Sequence, residues 1–323
     1  MKYGIGDTVK ILIPNVVNSG YDYRLIDDAN VGDFVSATVQ NKKYTGLIAG
    51  DADGAVSAEK IKPVIAQYGF GVPETTVAWI RKMSEWTMMS MGAVLKLMTA
   101  AADFQKMDLK KIKTEKFFDT GKIKLNDEQK KAADEISQSG FSVTLLDGIT
   151  GSGKTQVYFD SALRAYENGK SVLLMLPEIA LTTQFMTRFA DKFGARPASW
   201  HSNLTPARRR AVWHGVLSGD IKIVVGTRSA LFLPWQDLGL IVVDEEHDSS
   251  YKQEEMGCYH ARDMAILYAK IANIPIILSS ATPSFETVQN ANLGKYKTLR
   301  LTSRYGGAKL PKIEIADMRR GQK

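Results

Sequence analysis

GITGSGKT, residues 148–155, is the stretch that decides the fold. It satisfies the spacing G-x-x-x-x-G-K-[ST], follows the apolar run FSVTLLD and precedes the helically spaced QVYFDSALRAYENG. Strand, loop, then helix is the context that this motif requires. Gly148, Gly151 and Gly153, with Ser152 between them, let backbone N–H groups curl around phosphates at the positive end of the helix. Lys154 supplies a cation to the β- and γ-phosphates, and Thr155 is a candidate Mg²⁺ ligand.

A phosphate loop of this kind needs an acidic group for metal and water at the end of a neighbouring strand. LGLIVVDEEH supplies it, with Asp244 placed to hold Mg²⁺ and Glu245 to orient or deprotonate water. Five apolar runs, FSVTLLDG, SVLLMLP, IKIVVGT, LGLIVVDEE and IPIILSS, alternate with helical segments. Such runs between helices predict an α/β fold whose parallel sheet is buried on both faces.

Upstream the texture differs. TVKILIP, DFVSATVQ, KYTGLIAG and IKPVIAQ are short β-type runs separated by turn clusters, which predicts a small, barrel-like β-rich domain. From about Glu74 the spacing turns helical, and its Met and Trp residues read as core. The expected organisation is a β-rich domain over 1–105, a lysine-rich linker over 106–124, an α/β lobe over 125–300, and a tail over 301–323 that begins something further. A net charge of +7 is compatible with a polyanionic partner without establishing one. One cysteine precludes an internal disulfide framework and fits a reducing compartment, and no run is long enough to span a bilayer. A cytoplasmic protein is expected. Cys258 and His260 are too closely spaced for an ordinary zinc pair.

DEEH, with SSATPS (279–284), LPEIALTTQ (176–184) and GTRSALF (226–232), resembles superfamily 2 helicases. The wording of GITGSGKT, LPEIALT, GTRSALFLP, DEEHDSSYKQ and YHARDMA is similar to the primosomal replication-restart DNA helicases. That resemblance implies a RecA-like lobe that binds ATP with Mg²⁺, and Gln129, in LNDEQ, as adenine reader. It implies a single-stranded DNA track contacted by Thr182, Thr227 and Arg228, since sequence-independent motors hold the backbone. His247 and the segment Ser280, Ala281 and Thr282 would couple nucleotide state to the track. Residues 249–262 resemble an aromatic-rich loop in which Tyr251 and Tyr259 stack on bases while Lys252 and Arg262 hold phosphates. Tyr21-Asp22-Tyr23 matches the family's aromatic-Asp-Tyr signature, implying a ring stacked on a terminal base and a carboxylate that accepts from a 3′-hydroxyl.

Two departures stand beside the resemblance. The 20 or so linker residues are too few for the winged helix usual in the family. The family's zinc-binding cysteine region and second lobe lie beyond this chain, so zinc is expected only there. Weak ATP turnover is expected of the chain alone, because two-lobed motors take the γ-phosphate arginine from the second lobe. The function implied is an ATP-dependent 3′→5′ DNA helicase of replication restart. Forked DNA with a nascent 3′ end, primosome and replicative-helicase loading proteins and single-stranded DNA-binding protein would be its partners, at forks on the bacterial nucleoid. The alternatives are another superfamily 2 translocase and a catalytically idle DNA-end-binding scaffold.

Overall fold

A computed structural model describes residues 2–15, 20–54, 56–104, 115–122, 124–180, 182–254 and 257–304, and elements are counted among these. The strands of the larger N-terminal sheet are β1 (Thr8–Leu12), β2 (Tyr21–Arg24), β3 (Asp33–Val39), β4 (Lys42–Asp51) and β5 (Ala66–Gly71). They form one antiparallel sheet in the order β2-β1-β4-β3-β5. Gln40 and Asn41, both at positive φ, close the β3–β4 hairpin as a two-residue turn whose twist matches the strands. The run IKPVIAQ pairs later than its composition suggests, from Ala66 onward. Pro63 has no N–H to give a ladder, and it makes only an isolated bridge with Arg24.

Two helices follow, α1 (Glu74–Thr87) and α2 (Met91–Thr99). Met88 in the left-handed region ends α1, and the Ser90 side chain accepts from the Ala93 N–H to start α2. The lobe then builds α3 (Asp127–Glu135), β6 (Ser142–Gly148), α4 (Lys154–Glu167), β7 (Ser171–Met175), α5 (Thr183–Phe193), β8 (Ala198–Trp200) and α6 (Pro206–Leu217). It continues through β9 (Ile223–Gly226), β10 (Leu238–Asp244), α7 (Ala261–Ala272), β11 (Pro275–Ser280), α8 (Phe285–Asn292) and β12 (Lys297–Leu301). The seven strands are all parallel, in the order β8-β9-β7-β10-β11-β6-β12. The expected α/β lobe and β-rich N-terminal part are therefore both present.

Side chains of the central strands alternate between two cores, as the two-residue period of a strand requires. Val172 and Leu174 face the core under α3, α4 and α5, whereas Leu173 and Met175 face the opposite one. That second core runs without interruption into the N-terminal sheet. Trp79 of α1 is wholly buried, donates from Nε1 to the Met264 carbonyl of α7 (3.0 Å), and packs on Phe232 and Tyr268. Trp213 Nε1 donates to the Met98 carbonyl (2.8 Å) and Gln236 Nε2 to the Gly71 carbonyl (2.8 Å). The residues before 105 are thus welded to the lobe by α1 and α2.

Residues 106–114 of the expected linker and 305–323 of the tail lie outside the described residues. The described end of the linker is docked: Phe117 packs edge-on against Tyr166, Phe189 and Phe193, and the Phe118 N–H donates to the Phe193 carbonyl (3.1 Å). Thr302 and Ser303 donate to the exposed carboxylate of Glu128, which holds its pKa down at about 2.

Replacing Trp79 with Ala removes a buried indole and a shared hydrogen bond, so a loss of about 3–5 kcal/mol is expected. Urea unfolding should show the N-terminal sheet and the lobe melting in one transition in the native chain and separating in the variant.

Candidate active site

The parallel register sets the site. Asp244 pairs with Ser279 and Ser280 pairs with Asp147, so the C-terminal ends of β10, β11 and β6 lie level. Gly151 and Gly153 adopt positive φ, which glycine reaches without strain, and a Cβ on Gly153 would overlap the Gln129 amide. At Gly148 a Cβ would come within 2.6 Å of Ser152 Oγ, so the loop has no room for a side chain there. Lys154 is buried and its Nζ donates to the Gly148 carbonyl (2.7 Å).

Asp244 is held by two hydroxyl donors. Ser279 Oγ donates to its Oδ1 (2.7 Å) and Tyr158 Oη to its Oδ2 (2.9 Å). Burial pushes its pKa up, and the two hydroxyls and the Lys154 charge pull against that. Tyr158 lies one helical turn after Lys154, on the same face of α4, which is why it reaches this carboxylate. Burial first and then the Asp244 charge drive the Tyr158 pKa far up, so the phenol stays a donor. Glu245 follows in the left-handed region at φ 46°, a conformation that costs a glutamate roughly 1–3 kcal/mol and that clusters at functional sites. Burial and the neighbouring Asp244 charge raise its pKa too.

His247 joins this loop to the segment after β11. Its Nδ1 lies 2.7 Å from Ser280 Oγ and its Nε2 3.3 Å from Thr282 Oγ1, while the Thr282 N–H donates to Ser280 Oγ (3.0 Å). Ala281 stands between them.

Several expected contacts are corrected by burial. Gln129 is wholly buried: Oε1 accepts from the Asn126 N–H (3.0 Å) as half of a capping box, and Nε2 donates to the Ser152 carbonyl (2.9 Å). It braces the phosphate loop and presents no free amide to a base. Tyr251 is also wholly buried, its hydroxyl 2.7 Å from the Asp244 carbonyl and 3.0 Å from that of Met175, so its ring offers no face for stacking. Tyr259 packs edge-on against Phe232 in the core. Arg262 is locked in a buried ion pair with Glu246 (2.8 Å) and holds no exposed charge for a phosphate. Lys252 is exposed, pairs with Glu254 (2.7 Å), and stays available.

Of the track residues, Thr182 is exposed and caps α5 by accepting from the Phe185 N–H (3.2 Å). Thr227 gives its N–H to the Trp200 carbonyl (3.0 Å). Arg228 turns Nη1 onto the Ser250 and Lys252 carbonyls (2.9 and 2.8 Å), so it supports the loop that carries Lys252.

In the N-terminal sheet, Tyr21-Asp22-Tyr23 lies on the edge strand β2, whose period sends the two rings to one face and the carboxylate to the other. Tyr23 is corrected to a core residue, its hydroxyl donating to the Thr38 carbonyl (2.6 Å). Tyr21 and Asp22 are half-buried. Asp22 pairs across the ladder with Lys10, which also forms an ion pair with Asp53, and its Oδ1 accepts from the Asp53 N–H (3.3 Å).

Among the described residues no cluster of His, Cys, Asp and Glu is arranged to hold a metal by itself, and no helix is long and apolar enough to cross a membrane. The fit to a magnesium nucleotide rests on another donor set. Ser152 Oγ is buried with no partner among the described residues, on a loop beside one ammonium group and two carboxylates. That combination suits phosphate oxygens and a hard cation, and helicases of this kind use ATP with Mg²⁺.

The profile of the DEAD/DEAH box helicase family matches residues 126–291, and the chain belongs to that family. A second profile, the 3′DNA-binding domain (3′BD) of PriA, matches residues 10–100. The chain is similar to the replication restart protein PriA of Rickettsia prowazekii, 40% identical over 314 residues, or 96% of this chain and 48% of the relative. The PriA of Bacillus subtilis is 41% identical over 207 residues, covering 63% of this chain and 26% of the relative. This chain spans about half the length of the curated relatives it matches along nearly all its residues. A solved structure of RecG bound to a three-way DNA junction aligns with a TM-score of 0.44 and 22% identity, over 75% of this chain and 36% of that one. The helicase domain of Pyrococcus furiosus Hef aligns at 0.40 and 20%, over 54% and 37%.

The raised Asp244 pKa has a consequence for stability. The folded chain binds this proton more readily than the unfolded one, so the group's contribution is lost as pH rises through its folded pKa. Asp244→Asn removes that loss. The variant should melt above the native chain at about pH 8, and the gap should close toward about pH 4, where the unfolded carboxylate also takes up its proton. Calorimetric melts across that range check it.

Proposed function

We propose that this chain forms the nucleotide-binding lobe and the DNA-end-binding domain of an ATP-dependent 3′→5′ helicase of replication restart. The observation that carries the reading is the level row of β6, β11 and β10, which brings Lys154, Asp244 and Glu245 to one place. In this reading the N–H groups of 151–155 and Lys154 hold the β- and γ-phosphates, and Thr155 and Asp244 hold Mg²⁺. The metal when bound screens charge on the phosphates. Glu245, whose raised pKa makes it a stronger base, takes a proton from the water that attacks the γ-phosphorus as the bond to the ADP oxygen breaks. His247 and Ser280–Thr282 report the change at the phosphates to the DNA track, where Thr182, Thr227 and Lys252 bind the strand.

The N-terminal sheet takes the nascent 3′ end in this account, with Asp22 accepting from the terminal hydroxyl and Tyr21 beside it. The similarity of residues 10–100 to a 3′DNA-binding domain supports that assignment. The proposal extends to action on forks, assembly of a primosome with helicase-loading proteins and single-stranded DNA-binding protein, and location in the cytoplasm at the nucleoid, and the similarity to replication restart proteins supports it. Zinc belongs to this proposal only through a region outside these residues.

Lys154→Ala should weaken MgATP binding by at least about 100-fold, the scale of losing a charge-assisted contact in a dry site. Forked DNA carrying a 3′-hydroxyl should bind about tenfold more tightly than the same fork with a 3′-phosphate, at one fixed salt concentration, and Asp22→Ala should erase the difference. Equal affinity for the two ends in the native chain would overturn the role given to Asp22. ATP turnover by the chain alone is expected to be weak.

A further inference from the structure

Arg209, in the first turn of α6, is a half-buried cation that no step above uses. Among the described residues its guanidinium makes no ion pair and no hydrogen bond, and its Nε is buried without a partner. The two arginines before and after it differ. Arg208 is exposed, and Arg210 faces Asp103 (4.0 Å). The Glu178 carboxylate, on the loop after β7, accepts from Ser202 (2.6 Å) and forms no ion pair with Arg209.

What holds Arg209 is a ring. Its guanidinium carbon lies 5.2 Å from the centroid of the Trp200 indole, within the range at which a cation is drawn to an aromatic face. Trp200 ends β8 and is itself fixed on several sides. Its Nε1 donates to Ser229 Oγ (3.1 Å), and its carbonyl accepts from the Thr227 N–H (3.0 Å). Its ladder partner is Gly226, where a Cβ would come within 2.7 Å of the Trp200 carbonyl oxygen. The indole therefore sets one unpaired positive charge beside the loop that carries Thr227. A guanidinium already seated on a ring loses little freedom when it binds, and its planar donors match phosphate oxygens.

We propose that Arg209, seated on Trp200, is a further phosphate-binding residue that takes a phosphodiester of the strand passing Thr227. The contact is to the backbone, so it carries no base preference. The inference rests on the reading of Thr182, Thr227 and Lys252 as the strand track, and it adds to that track a residue of α6.

The test is the salt dependence with which the full 323-residue chain binds a fluorescent oligothymidine. Each phosphate neutralised on a single strand contributes about 0.7 to the slope of log affinity against log salt. Arg209→Ala should lower that slope by about 0.7, a loss of about fivefold in affinity at 0.1 M salt relative to 1 M. A mixed sequence of the same length should show the same loss. Arg209→Lys keeps the charge and should restore most of the slope, whereas Arg208→Ala should leave the slope within about 0.2 of native. An arginine that only covers an indole would lower the melting temperature on replacement and leave the slope native, and that result overturns the assignment. Equal slope losses in Arg208→Ala and Arg209→Ala overturn it as well, since they would report the charge of the helix and not one contact. Should Arg209→Ala fail to fold by circular dichroism, Arg209→Gln, which keeps most of the stem over the indole, takes its place with the same slope expected. A native chain that binds no single strand overturns the track reading instead, a failure that the native isotherm shows by itself.

Discussion

Adjacent parallel strands in one register constrain everything else in this chain. Because β6, β11 and β10 run side by side and end level, a phosphate loop and an acidic pair about 90 residues apart meet at one edge. The same register brings Ser279 to Asp244 and Ser280 to His247. Parallel pairing also demands helices on both faces, and those helices supply Lys154 and Tyr158 from one side and Arg262 from the other. A one-residue slip of β11 would send Ser279 to the wrong side and leave Asp244 buried without its donor.

That arrangement works against stability in places. Asp244 is held in a site that disfavours its charge, and Glu245 in a backbone conformation unusual for a glutamate. Both are offset by the surrounding packing, above all the core that continues from the sheet through α7 and α1 into the N-terminal strands. The consequence is structural unity. A domain that reads as separate in the sequence shares its hydrophobic interior with the lobe, and Trp79 sits on the seam.

Legibility in the sequence followed the physics of each feature. GITGSGKT and DEEH announced themselves because phosphate cradling and strand-end acids need fixed residue types at fixed spacing. The five central strands were visible as apolar runs. β12 was not, since KTLRL is an edge strand with alternating exposure, and β8 is only three residues long. Burial was the quantity that composition hid. Tyr251, Tyr259 and Arg262 carry the same side chains that bind nucleic acid, and only tertiary packing turns them inward. Gln129 stands where the resemblance implies a base contact, whereas Asn126 three residues earlier signals a capping box. Tyr21-Asp22-Tyr23 is contiguous in sequence, yet any extended strand divides it between two faces. Tyr158 and Glu246 had no signal of their own beyond spacing: one helical turn past Lys154, and one residue past the acidic pair.

The central claim is that the strand-end row forms one magnesium-nucleotide site out of the phosphate loop and the acidic pair. Calorimetric titration of ATP into the native chain, with Mg²⁺ and then with a chelator, tests it most directly. The account predicts binding that Mg²⁺ strengthens by at least about tenfold, with the gain lost when Asp244 is replaced by Ala. Nucleotide affinity that is indifferent to Mg²⁺, or a magnesium effect that survives the loss of Asp244, would contradict it.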